Sequence, residues 1–491
     1  MTPQEKLVIG LDLGTTNAKA AAYDLEGKAL AQAAVPYSTQ FPRSGWAEQR
    51  PSDWIDALSA AWLQVMAELG KFTKDVVGIG LSAHGPGLVL ADESGQPVLD
   101  NSPTWQDERC KAQGKWLLER VGPEWIGLGM PLTGFPAKLL WALQEQPEII
   151  AKTRYALGIK EFLVGWLTGH FVTEPSSGPG GVQWYRPVFE ALHWPLEKLA
   201  EVTLPTSVGG YITPDIAARF NVKAGLPVVM GLNDGACATL AAGAVRTGDA
   251  IITMATNGVA RIILDGPISP QVRLEKALFC WPYVEKCWVA GGQTKSGASS
   301  LQWLVQIIQA DHGDETIRRI ISEAGESPVG SRGVLFIPYL MGRGSPVDDP
   351  HATGAFLGLC LSNNRADMVR AVLEGVSFAI AEIFQTFSEL GLKVNRLKVT
   401  GGGARSDLWR QILADVLGTP LTYVGTDSAL GAAMVAAVGL GLHSDVPSAA
   451  SAMSHPLGET RPVLQNHEKY AGLLKKFWQI RDGMAARQGN G

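Results

Sequence analysis

The sequence contains little cysteine, no concentration of basic charge and no long hydrophobic run. Its five cysteines are scattered and include no Cys-x-x-Cys pair, which argues against a disulfide framework and against a zinc site. The formal net charge is -5, without a long run of lysine or arginine, so neither nucleic acid nor a membrane is expected as the main partner. No apolar run approaches membrane-spanning length, and no signal-peptide pattern precedes the first predicted strand. We therefore expect a soluble, cytoplasmic protein.

What the chain does contain is enough apolar sequence for more than one core. It has 491 residues, of which 46% are hydrophobic and 18% charged. This composition is typical of a well-packed globular protein rather than a disordered chain. The length exceeds what one hydrophobic core usually supports, so two domains are expected.

The most informative segment is residues 7–24. An apolar strand leads into a Gly-Thr-Thr turn, and a second strand runs back. A turn that holds glycine and two hydroxyls can wrap a phosphate with backbone N–H groups, which makes Gly14, Thr15 and Thr16 candidate phosphate contacts. Asp12 would place a carboxylate beside a phosphate-bound Mg²⁺, which prefers oxygen ligands. The alternative is an ordinary hairpin with a polar turn.

Residues 250–264 repeat this arrangement. A short apolar strand is followed by an Ala-Thr-Asn-Gly turn and a returning strand, so Thr256 and Gly258 are candidates for a second phosphate hairpin. The chain then divides into two related halves, predicted as an N-terminal domain at 1–246 and a C-terminal domain at 247–491, whose hairpins face each other across a cleft. Two unrelated hairpins are the alternative, since the identity between the halves is slight.

Two further glycine-rich segments follow predicted strands. Residues 226–230 form a short apolar strand that leads into Gly-Leu-Asn-Asp-Gly, which contains Asn233 and Asp234. From the pattern alone, an aspartate in the position of Asp234 is most simply a helix N-cap. The other segment, residues 401–407, follows a strand and precedes a helix, where glycines let an adenine ring or a phosphate approach the backbone. A tight turn has the same pattern.

Taken together, these segments resemble the FGGY family of carbohydrate kinases in the actin-like ATPase superfamily. The most specific match is GAFLGLCLSNNRADMVRAVLE at residues 354–374, which agrees with the C-terminal signature of the family at every defined position. The Asp234 loop and the Gly-Gly-Gly-Ala turn at residues 401–404 also match, whereas the first hairpin alone resembles Hsp70-type chaperones equally well. The resemblance covers residues 7–480. It implies an α/β fold of two ribonuclease-H-like (actin-like ATPase) domains with an interdomain catalytic cleft.

The resemblance also implies a reaction and its residues. In the family, the aspartate that matches Asp234 takes the proton from the sugar hydroxyl, and ATP with Mg²⁺ supplies the phosphoryl group. Asp12 is then assigned to Mg²⁺, through water, while Lys19 either supports the loop or points outward. Gly297 caps the nucleotide pocket or serves helix packing. The expected nucleotide contacts are Gly14, Thr15, Thr16, Thr256, Gly258, Gly297, Gly402, Gly403 and Ser406.

The expected sugar site lies in the N-terminal half. The segment Thr-Trp-Gln-Asp-Glu-Arg at 104–109 falls where the family carries a substrate-contacting Trp-x-Asp-x-Arg-like segment, although a tryptophan here could equally be a core residue. In the loop where xylulokinases carry Gln-Met-His-Gly, glycine and proline replace the methionine and the histidine, which puts D-xylulose itself in doubt. The candidates for sugar contacts are His84, Trp105, Asp107, Asn233 and Asp234, with Gln106 and Arg109 beside them.

The leading functional prediction is ATP-dependent phosphorylation of a primary hydroxyl of a small sugar, most simply a ketopentose such as xylulose. Gluconate or another sugar acid is the second candidate, and glycerol or a tetritol is the third. An actin- or Hsp70-like nucleotide-switch ATPase is the alternative from a different class. The expected partners are ATP and the sugar, with a homodimer by family analogy.

Overall fold

The computed structural model describes residues 6–125, 132–177, 183–308, 313–425 and 427–488. The elements of the first half are β1 (Leu7–Leu13), β2 (Asn17–Tyr23), β3 (Ala29–Pro36), β4 (Glu48–Gln49), α1 (Pro51–Leu69), β5 (Val76–Ala83), β6 (Val89–Ala91), β7 (Ser102–Pro103), α2 (Lys111–Val121), α3 (Phe135–Glu145), α4 (Pro147–Ile150), β8 (Tyr155–Leu157), α5 (Ile159–Thr168), β9 (Val172–Thr173), α6 (Arg186–Ala191), β10 (Glu201–Val202), β11 (Val208–Tyr211), α7 (Pro214–Phe220), β12 (Pro227–Asn233) and α8 (Asp234–Ala241).

The helices and strands of the second half are numbered in the same series. Its elements are β13 (Asp249–Met254), β14 (Gly258–Leu264), α9 (Pro270–Glu275), β15 (Phe279–Pro282), β16 (Trp288–Gln293), α10 (Ala298–Ile308), α11 (Asp314–Ala324), β17 (Leu335–Ile337), β18 (Ala355–Leu357), α12 (Arg365–Glu389), β19 (Arg396–Thr400), α13 (Asp407–Leu417), β20 (Leu421–Val424), α14 (Ser428–Gly439), α15 (Val446–Met453), β21 (Pro456–Thr460) and α16 (Leu464–Gln488). Among the described helices, none is both long and apolar enough to cross a bilayer.

The first half is built on a six-stranded sheet with the order β11-β12-β5-β1-β2-β3. Strand β1 runs parallel to β5 and antiparallel to β2, and β5 runs parallel to β12. Every residue of β1 is buried, because α1 and α5 cover one face of the sheet and α8 and α14 cover the other. A strand buried on both faces explains the continuous apolar run at the start of the sequence.

The second half repeats this topology in a seven-stranded sheet with the order β15-β16-β14-β13-β19-β20-β21. Five strands correspond one to one: β20-β19-β13-β14-β16 has the same order and the same parallel and antiparallel relations as β12-β5-β1-β2-β3. Helices α10, α12 and α13 cover its outer face. The two hairpins are therefore equivalent parts of a repeated α/β unit, as predicted. The boundary at 246/247 stays a prediction.

Helix α14 joins the two halves by packing on the sheet of the first one. A Cβ atom on Gly10 of β1 would lie 1.9 Å from the carbonyl oxygen of Ala429, and one on Gly80 of β5 would lie 2.0 Å from that of Ala432. A Cβ on Gly431 would lie 2.0 Å from the carbonyl oxygen of Cys237 in α8. Only glycine fits at such distances, so backbones here are in direct contact. This contact brings the strand ends of both sheets to one cleft.

Candidate active site

The first carboxylates of the site lie at the carboxyl edge of the N-terminal sheet. In the parallel register Asp12 pairs with Ser82, and Ser82 in turn pairs with Leu232, one residue before the end of β12. Asp234 follows directly as the first residue of α8. Because parallel strands end at a common edge, residues far apart in sequence meet there.

Asp12 is buried and carries an unusual proton affinity. Its Oδ1 accepts a hydrogen bond from Ser82 Oγ at 2.7 Å. Its pKa is raised from 3.8 to about 7, first by burial and then by the nearby carboxylates of Asp234 and Asp427, while Ser82 and Lys19 oppose the shift. The ionised form of Asp12 is therefore disfavoured in this buried position, and a cation placed beside the carboxylate would stabilise it.

Asp234 is the second buried carboxylate, and it is not the cap of its helix. Asn233 caps α8 instead, because its Oδ1 accepts from the N–H of Ala236 at 2.9 Å. Asp234 Oδ1 accepts from the N–H of Gly235 at 2.7 Å. The pKa of Asp234 is raised to about 6, because burial raises it by more than the Gly235 N–H and the Arg261 guanidinium lower it. The side chain is therefore available for chemistry near neutral pH.

Arg261, in the other half of the chain, lies near this carboxylate and lowers its pKa through its positive charge. It lies on β14, and its Nη1 donates to Thr253 Oγ1 at 2.9 Å. Its Nη2 would lie 3.4 Å from a Cβ atom on Gly235. Burial lowers the pKa of Arg261 to about 10, while Asp234 opposes that shift. The guanidinium stays charged at neutral pH and faces the acidic residues across the cleft.

In both hairpins the N–H group of a glycine predicted to contact phosphate is bonded within the protein, and that of Gly14 donates to the Asn17 carbonyl at 3.0 Å. Thr16 and Thr256 are exposed at their tips. Gly258 N–H donates to Thr294 Oγ1 at 2.9 Å, and the carbonyl of Thr256 accepts from Gly297 N–H at 2.7 Å. A Cβ on Gly297 would lie 2.5 Å from the carbonyl carbon of Asn257. Gly297 therefore packs against the second hairpin at the start of α10, and its contact with the nucleotide stays a prediction.

A cavity of about 550 Å³ lies between the triple-glycine turn and helices α10 and α11. Gly402 and Gly403 line it, and no atom lies within 4 Å of a Cβ placed on Gly402. Ser406 also lines it, while its Oγ caps α13 by accepting from Trp409 N–H at 3.1 Å. The volume falls within the range of small-molecule sites. The predicted adenosine residues thus share one cavity in the second half.

The chain matches family models over most of its length. The model described as "FGGY family of carbohydrate kinases, N-terminal domain" matches residues 7–241, and the one for the C-terminal domain matches residues 250–440. The chain belongs to the FGGY family of carbohydrate kinases. This membership confirms the resemblance, the two-domain α/β fold and the enzyme class, an ATP-using carbohydrate kinase.

The relatives are named for two different substrates, xylulose and gluconate. The chain is 30% identical over 447 residues to the xylulose kinase of Escherichia coli, covering 88% of this chain and 90% of that one. It is 27% identical over 495 residues to the gluconokinase of Bacillus subtilis, covering 96% and 94%. The crystal structure of gluconate kinase from Lactobacillus acidophilus superimposes with a TM-score of 0.88 at 26% identity, covering 99% of each chain. Family membership therefore does not identify the sugar that this chain phosphorylates.

Two of the residues predicted to contact sugar in this FGGY kinase, His84 and Asn233, line a small cavity of about 20 Å³ together with Lys160, Glu161 and Ser177, among others. Its volume holds about one water molecule or one hydroxyl group. Both ends of the Asn233 amide are bonded within the protein, because Nδ2 donates one hydrogen to the Ser176 carbonyl at 2.7 Å and Oδ1 caps α8; the second Nδ2 hydrogen is not used in these bonds. Asn233 therefore holds the Asp234 loop in place.

The predicted 104–109 segment divides into two parts. Trp105 is half-buried, outside the hydrophobic cores, and its Nε1 donates to Thr15 Oγ1 at 3.0 Å; Gln106 is exposed. Asp107 is fully buried, and both of its oxygens accept from Arg109, with Oδ2 also accepting from Ala47 N–H at 2.7 Å. Trp105 thus lies beside the phosphate hairpin, whereas Asp107 anchors the segment.

Three residues of the site escaped the sequence reasoning: Arg261, Asp427 and Gln49. Asp427 caps α14 and lies 3.6 Å from Lys19 Nζ, so Lys19 forms an ion pair with the other half of the chain, and its support of the loop stays a prediction. A single arginine in the otherwise apolar β14 is the one local signal that could have singled out Arg261. Gln49 and Asp427 carry no such signal, because only the folded chain brings them to the cleft.

Proposed function

We propose that this FGGY kinase transfers the γ-phosphoryl group of ATP to a primary hydroxyl of a neutral ketopentose, with xylulose as the leading candidate. The observation that carries the proposal is Asp234, a buried carboxylate at the start of α8 whose pKa is raised to about 6. A general base works best with a pKa near the operating pH. Asp234 meets that condition, and it lies where both hairpins and the sugar cavity converge.

In the proposed reaction the attacking hydroxyl gives its proton to Oδ2 of Asp234, because Oδ1 already accepts the Gly235 N–H. Arg261 keeps the carboxylate ionised before the transfer. The backbone of the hairpins and the hydroxyls of Thr15 and Thr16 hold the phosphates in line. Closure of the cleft would exclude water and limit ATP hydrolysis.

Mg²⁺ is part of the proposal, and the residues present fit it. Asp12 offers a buried carboxylate whose ionisation is disfavoured without a nearby cation, and hard oxygen donors suit Mg²⁺. Within the described ranges no group of three or more His, Cys, Asp or Glu side chains could hold a metal. Mg²⁺ commonly uses one or two carboxylates together with water and substrate phosphates. When bound, it would neutralise charge on the transferring phosphates.

The charge balance of the sugar cavity favours a neutral substrate. Lys160 is the one cationic side chain among its described lining residues, and its Nζ is paired with Glu174. Glu161 adds a second carboxyl group, whose pKa burial raises. A carboxylate of gluconate would therefore find no unpaired cation among these residues. Gluconate is the second candidate, since gluconokinases are among the relatives, and a glycerol-like polyol is the third.

A coupled assay of ADP release tests the proposal against an ATP-only control. Xylulose and other ketopentoses, gluconate and glycerol are compared at equal concentrations and in the presence of Mg²⁺. We expect a neutral ketopentose to give the highest kcat/KM. Higher kcat/KM with gluconate would contradict the charge argument, and loss of turnover on omission of Mg²⁺ would support the requirement for the metal.

A further inference from the structure

Gln49 is fully buried between His84 and the first phosphate hairpin. Its hydrogen bonds allow only one orientation of the side-chain amide. Its Oε1 lies 3.0 Å from Trp54 Nε1, an indole nitrogen that can only donate. Its Nε2 lies 2.8 Å from the carbonyl oxygen of Thr15, which can only accept, and 2.7 Å from Thr39 Oγ1. The opposite assignment would break two hydrogen bonds in the interior. The oxygen of the amide is therefore fixed towards Trp54.

The same oxygen fixes the proton of His84. His84 Nε2 lies 3.1 Å from Gln49 Oε1, and two acceptors do not bond, so Nε2 carries the hydrogen. Burial lowers the pKa of His84 from 6.5 to about 3, which leaves the ring neutral with one proton only. Nδ1 is then an unprotonated acceptor.

That acceptor has no partner among the described residues. His84 Nδ1 is buried and makes no hydrogen bond to the protein, although buried polar atoms are nearly always paired. The ring lines the cavity of about 20 Å³, which has room for one hydroxyl group. A hydroxyl hydrogen is the group that such an acceptor would bind in this space.

We propose that Gln49 is a positioning residue that holds His84 as the acceptor for one sugar hydroxyl and, through the other end of the same amide, holds the Thr15 carbonyl of the first phosphate hairpin. The inference rests on the proposed function, because the hydroxyl is taken to belong to the sugar. It assigns His84 a defined polarity: the ring accepts and does not donate. It also links sugar recognition to the phosphate hairpin by a single side chain.

The tautomer is tested without any sugar, by NMR of protein labelled with ¹⁵N at its eight histidines. The His84 signal is assigned by its loss in His84→Gln. We expect the unprotonated nitrogen to be Nδ1 in the wild type, and this preference to weaken in Gln49→Met, which keeps the side-chain volume. A proton on Nδ1 in the wild type would overturn the inference, whichever sugar is phosphorylated.

Kinetic measurements distinguish the contact of Gln49 with His84 from its contact with Thr15. In His84→Gln the new amide nitrogen replaces the Nε2 donor but nothing replaces Nδ1, so we expect the sugar KM to rise about tenfold with kcat and the ATP KM unchanged. Gln49→Met should raise the sugar KM similarly and also lower kcat about tenfold, because the Thr15 carbonyl loses its donor. His170→Gln, at an exposed position, is the control. An unchanged sugar KM in His84→Gln would overturn the proposed hydroxyl contact.

Failure of the proposed function has a different signature. If the wild type phosphorylates no ketopentose but another acceptor, the proposed substrate is wrong, and the same KM comparison is made with that acceptor. A tenfold rise in its KM in His84→Gln would still support the role of the ring. The tautomer measured by NMR is independent of this outcome.

Discussion

The two hairpins have the same topology but carry opposite chemistry. In the first, Asp12 lies one residue before the end of β1 and pairs in register with Lys19. In the second, Thr253 lies one residue before the end of β13, and Arg261 donates to its hydroxyl. The first hairpin therefore places a buried acid opposite a lysine, and the second places a hydroxyl group beside an arginine. Under the proposed function, a phosphoryl group between the hairpins would meet the proposed Mg²⁺ site on one side and Arg261 on the other.

The helices that follow the equivalent strands β12 and β20 also differ, in the residue that caps each of them. Asn233 caps α8 and leaves the next residue, Asp234, free of capping. In the second half Asp427 is itself the cap of α14, accepting from Ala429 N–H at 3.1 Å. A shift of one position along the repeated motif thus separates a carboxylate that caps its helix from one that does not. We propose that this difference leaves Asp234 available as the base.

The largest effect is expected from replacing the acidic residues near the ends of the equivalent strands β12 and β20. Asp234→Asn removes the base, and we expect kcat to fall about 10³-fold, within the range for general-base catalysis, while the affinity for ATP stays within about twofold. The matched change in the other half, Asp427→Asn, keeps a residue type that caps helices well and should lower kcat less than tenfold. Steady-state kinetics and nucleotide titration give both values; equal losses in the two variants would contradict the division of roles.

The second prediction concerns the contact that joins the halves. Gly10→Ala places a methyl group where the Ala429 carbonyl oxygen lies at 1.9 Å, so β1 and α14 must separate. We expect the free energy of unfolding to fall by about 2–3 kcal/mol, as for overpacked interiors.

Gly472→Ala is the control for that change. Gly472 is exposed within α16, and no atom lies within 4 Å of the added methyl. Because alanine favours helix more than glycine does, stability should rise by about 0.5–1 kcal/mol. Denaturant unfolding measures both variants, and similar stability of the two would show that the close approach of α14 does not constrain the fold.

Much of this arrangement could be predicted because it depends on local patterns. The apolar run of β1, the Gly-Thr turn after it and its echo at residues 250–264 gave the repeated unit. The strand before Asp234 was expected at residues 226–230 and extends over Pro227–Asn233. Pairing with β5 continues to Asn233, a tertiary effect that a run of apolar residues does not reveal.

The rest of the site depends on contacts between distant segments. Gln49 belongs to a two-residue strand and meets Thr15, Trp54 and His84 only in the folded chain. Asp107 matched a family segment, but its pairing with Arg109 shows in the structure alone. Sequence therefore indicated which residue types the chemistry needs, whereas their protonation and partners required the fold.

The smallest expected effect tests whether the second half tunes the base of the first. Arg261 lowers the pKa of Asp234, whose folded-state value is about 6, so Arg261→Gln should raise that pKa. Because the base acts when deprotonated, the acidic limb of the kcat/KM profile should move to higher pH by about one unit. At pH 7 this leaves a smaller ionised fraction and lowers kcat/KM, while at pH 9 the two enzymes converge in this respect. Arg261→Lys keeps the charge and should leave the limb near its wild-type position. A limb that does not move in Arg261→Gln would show that the cation binds phosphate without tuning Asp234.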